Sequence, residues 1–217
     1  AIILKDKNFI FVDGRYVEQA KIQVGKKFKI LEIPKKLPHQ ILSSSLNLGF
    51  DPMVFTSRSL IYYFRNKIKL TPITKTIINS NISNHHKSKK FYSLNQTVVG
   101  ETASAKIKRL IQVLKKDGSD HIFISAPENV AWLLNIRGRD NPFSPIPNCR
   151  IVLNTRGEVS FFSNIKKTSN ILKKKDFLKT SFFKEDQIEN FLSKLSVKKI
   201  IIDKNSCSVL LENLISS

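Results

Sequence analysis

The chain has 217 residues, 41% of them hydrophobic and 25% charged, enough for a packed core in one large domain or two of about 100 residues each. No run approaches the roughly 20 apolar residues of a membrane-spanning helix, and Lys5 interrupts the opening apolar run with no basic stretch before it, so neither a membrane span nor a signal peptide is expected. The formal charge of +20 invites a nucleic-acid reading, yet it is built from eight arginines and 29 scattered lysines, the pattern of a solvated surface rather than of sequence-specific recognition.

In chain order, residues 1–4 and 9–12 are β-rich runs separated by the turn-forming Lys5-Asp6-Lys7-Asn8, which predicts a hairpin. Asp13-Gly14-Arg15-Tyr16 follows, and a helix starts at Val17. Residues 28–33 alternate as a strand, 38–46 carry a helical pattern, and 48–50 read as a short strand ended by Asp51-Pro52. A helix over 56–63 takes Thr56 or Ser57 as its cap. Residues 75–90, with Asn79, Asn81, Asn84, His85 and His86, have linker composition, and they place a boundary between domains at 1–77 and 78–217.

Beyond the linker, Ile107, Leu110, Ile111 and Leu114 share one face of a helix over 103–116, stopped by Gly118. A buried strand is expected at 121–125 and a short helix at 127–134, with Trp132 in its core-facing pattern. Residues 150–153 and 159–162 predict a second hairpin around Asn154-Thr155-Arg156-Gly157. A helix over 186–195, a strand over 199–202 and a last helix over 207–215 complete an α/β pattern. That last helix runs on without a stop signal, and the chain opens inside an apolar run, so an excerpt of a longer polypeptide is expected. The two hairpins match as a faint internal repeat, two copies of one module with the first lacking its front.

Candidate chemistry is sparse. Cys149 and Cys207 lack any metal-binding or disulfide spacing and read as buried thiols in a reducing, cytoplasmic compartment. His39, His85, His86 and His121 show no paired ligand spacing, and no Gly-rich phosphate loop or G-x-S-x-G elbow is present. Neither catalytic nor metal-ligating residues are expected in this chain.

Four segments occur in a telling order: Phe11-Val12-Asp13-Gly14-Arg15-Tyr16 through Gln19-Ala20; Leu48-Gly49-Phe50-Asp51-Pro52; Gly100-Glu101-Thr102-Ala103 with Lys106; and Ala126-Pro127-Glu128-Asn129-Val130-Ala131-Trp132-Leu133-Leu134-Asn135-Ile136-Arg137-Gly138-Arg139-Asp140. Together they resemble the N-terminal domains of the Xaa-Pro aminopeptidases (aminopeptidase P). The resemblance covers nearly the whole chain and is weakest over 75–90 and after Lys166. Ser144-Pro145-Ile146, Asn148-Cys149 and Phe55 depart from the family's usual Asn-Pro-Val, Ser-Tyr and His.

The resemblance implies two creatinase/prolidase N-terminal-like α/β domains, a partial first and a second, each a mixed β-sheet flanked by helices. It further implies a non-catalytic portion that supports a homodimer and controls access of peptides with proline at the second position. The two divalent ions, manganese in most of the family, and their ligands would lie in a C-terminal catalytic domain of the same polypeptide. Arg137, Gly138, Arg139 and Asp140 are the substrate-access candidates: an arginine fork and a carboxylate on a loop expected to face that domain. A stand-alone creatinase-like binding module and, behind it, a basic nucleic-acid-binding protein are the alternative readings.

Overall fold

The computed structural model describes residues 1–73, 89–171, 179–197 and 199–216. Most of the expected linker, with His85 and His86, lies outside the described residues, as do the 77/78 boundary and the Lys173-Lys174-Lys175 group. The described residues fall into two compact units, 1–51 with 58–73, and 52–57 with those from 89 onward.

The first unit opens with β1 (Ile2–Ile3) and β2 (Asn8–Asp13), paired antiparallel with Ile2 opposite Phe9. A single 3-10 turn, Gly14–Tyr16, leads into α1 (Val17–Gln23). The Asp13 carboxylate caps that turn by accepting from the Arg15 N–H. The chain then returns as β3 (Lys29–Ile33), parallel to β2. The helix expected over 38–46 is shorter: α2 covers Pro38–Ile41, and Leu42 is already extended. Past it, the Ser43 and Ser45 hydroxyls bond each other at 2.8 Å, the local alternative that serines offer to a helical backbone. β4 (Asn47–Phe50), α3 (Ser57–Phe64) and β5 (Lys69–Pro72) follow, with β4 and β5 parallel. The Pro72 at the end of β5 had concealed that strand in the sequence.

The second unit holds β6 (Tyr92–Ser93), α4 (Gln96–Val99), α5 (Ala103–Asp117), β7 (His121–Ile124), α6 (Pro127–Leu133), β8 (Ile136–Arg137), β9 (Cys149–Asn154), β10 (Val159–Ser163), β11 (Thr180–Phe183), α7 (Ile188–Ser193), β12 (Ile200–Ile202) and α8 (Val209–Ser216). Five strands form one sheet in the order β11-β10-β9-β7-β12, with β9 antiparallel to both neighbours. Strand alternation divides its side chains between two cores. Ile151, Leu153 and Phe161 pack with Ile107, Val130 and Leu133 beneath α5 and α6. Val152, Phe162 and Phe123 pack with Ile188, Leu192 and Leu211 beneath α7 and α8. α5 ends where Gly118 takes φ +69°, a left-handed turn that only glycine enters without strain.

The two hairpins lie in separate sheets with the same connectivity. In each, an antiparallel pair is followed by a 3-10 turn and then by a strand parallel to the second member. The caps repeat as well: Asp13 accepts from the Arg15 N–H, and Asn164 from the Lys166 N–H. Both cysteines are free and buried. No helix among the described residues is long and apolar enough to cross a membrane.

Candidate functional site

The loop carrying Arg137 to Asp140 is set by the short helix before it. Pro127 starts α6, where its missing N–H costs nothing, and seven residues bury Val130, Ala131 and Leu133. Trp132 does not enter that core. It is 56% exposed, because a helix of two turns has one inward stripe and position 132 falls outside it.

Beneath Trp132 sits Lys106, only 4% exposed. Its ammonium donates to the Trp132 carbonyl and to Asn135 Oδ1, both at 2.7 Å, and lies 4.3 Å from the indole centroid. Burial lowers its pKa, against a smaller raising effect from Glu101. Asn135 takes a left-handed φ of 54°, donates from Nδ2 to the Glu101 carbonyl at 2.8 Å, and accepts the Leu94 N–H at 3.0 Å. α5, α6 and Leu94, just past the end of β6, are thereby tied to one asparagine, which turns the chain into β8.

β8 pairs antiparallel with β6, placing Arg137 opposite Tyr92. The Arg137 guanidinium turns back on its own segment, donating through Nη1 to the Ala131 and Ile136 carbonyls at 3.2 and 2.8 Å. Gly138 donates to the Pro145 carbonyl at 2.9 Å. A Cβ there would stand 2.6 Å from the Pro147 Cα, so the position is reserved for glycine by lack of space. Asp140 is also engaged: its carboxylate pairs with Lys167 and accepts the Asn148 N–H at 2.6 Å, and both members of the ion pair are largely buried. Between these anchors Asn141 turns the chain by accepting the Phe143 N–H at 3.0 Å. Arg139, by contrast, is exposed and makes no hydrogen bond or ion pair among the described residues.

A groove of about 650 Å³ opens beside this loop, lined by Lys89, Tyr92, Arg139, Pro142, Phe143 and Pro145 among others. Phe143 is 96% exposed, on a loop stiffened by Pro142 and Pro145. With Asp140 neutralised by Lys167, the groove presents two cations and two aromatic rings. That arrangement can hold a partner surface or a peptide. Phe143 was absent from the residues singled out in the sequence, although a phenylalanine between prolines on a polar loop is a readable sign of an exposed anchor.

Nothing described elsewhere supplies metal chemistry. Among the described residues no group of three or more His, Cys, Asp or Glu side chains converges on a point that could hold an ion. His39 Nδ1 lies 3.1 Å from the Tyr63 carbonyl. Burial raises the pKa of both thiols, Cys207 to about 12. The described residues therefore do not fit the two-ion group that the resemblance implies.

Residues 83–217 match the model of the Creatinase/Prolidase N-terminal domain. A probable Xaa-Pro aminopeptidase P of Coprinopsis cinerea is 26% identical over 180 residues, which are 76% of this chain and 29% of the relative. Aminopeptidase P2 of Arabidopsis thaliana is 24% identical over 196 residues, 83% of this chain and 27% of the relative. This chain thus spans less than a third of those relatives. The solved X-prolyl aminopeptidase of Caenorhabditis elegans, described as a cytosolic enzyme with a di-nuclear active site, superimposes with a TM-score of 0.75 at 21% identity. It covers 88% of this chain and 33% of that one. At that identity the likeness speaks to the fold.

Proposed function

The chain belongs to the Creatinase/Prolidase N-terminal domain family, and from that premise we propose that it serves as the N-terminal, non-catalytic portion of an Xaa-Pro aminopeptidase. In this reading a C-terminal domain of the same polypeptide holds two divalent ions, manganese the expected metal, and cleaves the bond before a proline at position two. That bond is a tertiary amide without an N–H, so recognition falls on ring shape and on the free amino terminus. The portion described here supports a cytoplasmic homodimer and shapes the substrate entrance. Two things support the reading: the matched relatives are Xaa-Pro aminopeptidases more than three times the matched length, and one of the solved relatives is cytosolic and di-nuclear.

The observation that carries the access role is the contrast inside the loop. Arg137, Gly138 and Asp140 are spent on holding it in shape, while Arg139 and Phe143 are left exposed at the rim of a groove. Frame and presented groups are thus separate residues, as a docking loop on a rigid scaffold requires. The test is steady-state hydrolysis of Xaa-Pro peptides by the polypeptide that joins this chain to a catalytic domain. Arg139→Ala and Phe143→Ala are each expected to lower kcat/KM more than tenfold, about 1.4 kcal/mol, with the melting temperature unchanged. Loss of activity only in step with loss of folding would contradict the access role.

A further inference from the structure

At the opposite end of the five-stranded sheet lies a polar site that the aminopeptidase reading does not use. α7 and α8 cover the sheet face carrying Phe123, Val152, Phe162 and Phe183. Two residues earlier on the same strands, alternation puts His121, Ser160 and Ser181 on that face. Ser160 and Ser181 are register partners across β10 and β11. This row is not sealed. It floors a groove of about 530 Å³, walled by Phe191 and rimmed by Arg156 and Lys179.

The groups facing it are donors awaiting acceptors. The Ser160 and Ser181 hydroxyls make no hydrogen bond among the described residues. The His121 ring lines the groove beside them, its Nδ1 buried without a partner and its pKa lowered by burial. Arg156 uses Nε and Nη2 on Glu158 Oε2, at 3.2 and 2.8 Å, and keeps Nη1 free. Lys179 reaches over the same turn to the Arg156 carbonyl at 3.5 Å, bringing a second cation to the rim despite the first. Glu158 is the groove's acid, and its charge is answered by Arg156 and by Asn154 Nδ2 at 2.6 Å. Lys179 remains as the unbalanced charge.

We propose that His121, Arg156, Ser160, Lys179 and Ser181 form a binding site for a small phosphate-class oxyanion. Two adjacent hydroxyls, an imidazole, a guanidinium nitrogen and an ammonium outnumber what a planar carboxylate takes, and they suit a tetrahedral anion with several charged oxygens. Inorganic phosphate and the phosphoryl group of a small monoester share this chemistry.

The imidazole carbon-bound protons of His121 report on the site, and those of His39, in the other unit, serve as the control. Each would be followed by NMR while the 217-residue chain is titrated with inorganic phosphate, glycerol phosphate, acetate or chloride at one ionic strength. The expected result is a saturable shift at His121 with one or both phosphates and none at His39; the tighter of the two identifies the natural source. Ser160→Ala and Lys179→Gln should each weaken binding at least fivefold while leaving the melting temperature in chloride unchanged. No saturable shift, an equal shift with acetate or chloride, or binding indifferent to both substitutions would overturn the proposal, the second because it would be charge screening of a chain at +20.

Discussion

At Gly138 the requirement is space alone: the backbone of Pro147 occupies the position where a side chain would begin. Gly138→Ala must push main chain rather than a flexible side-chain tip, so a loss of about 1–3 kcal/mol is expected from urea unfolding. A stability within a few tenths of wild type would mean that the loop relaxes freely. The four-residue run of Arg137 to Asp140 was visible in the sequence as a unit, but its division of labour was not. Arginine and aspartate read as presented charges, whereas here Arg137 serves carbonyls and Asp140 serves Lys167. Lys106 was visible as a motif residue while its burial was hidden, since lysine is ordinarily exposed. Trp132 was hidden in the other sense: its spacing suggested core, and it lies outside, over the Lys106 ammonium.

Among the elements, those with strong local signals stand where the sequence put them. α5 has its Thr102 cap and its glycine stop, and the hairpins have their turn residues. The elements that were missed have no local signal. β6 and β8 are two residues each and exist through their mutual pairing, and β11 is defined by its parallel partner β10. The repeat was faint in sequence because the two hairpins share pattern rather than identity. In the structure it is carried by matching strand order and matching Asx caps. β10 is the hinge of this organisation. Its Phe161 is fully buried, with ring centroids 6.4 Å from Phe91 and 5.3 Å from Phe182. Phe161→Ala should cost about 3–5 kcal/mol in chemical denaturation, since transfer and cavity terms add. A loss under 1 kcal/mol would show that β10 is not central to the second unit's core.

For the whole molecule, fold and family were legible because motif order survives where overall identity is low, 24–26% to the aminopeptidases compared above. Function was legible only through that resemblance, because the sequence carries no paired ligand spacing or catalytic motif of its own. The +20 charge explains little of the fold: among the described residues the ion pairs are mostly at the surface, where each contributes little. The most direct test compares Xaa-Pro peptide hydrolysis, with manganese present, by two preparations. One is the native polypeptide captured with an antibody against this chain; the other is the 217-residue chain alone. Turnover by the captured polypeptide, with none by the isolated chain, is the predicted result. Turnover that stays with the isolated chain through repurification, or a captured polypeptide of the chain's own 24.8 kDa without activity, would contradict it.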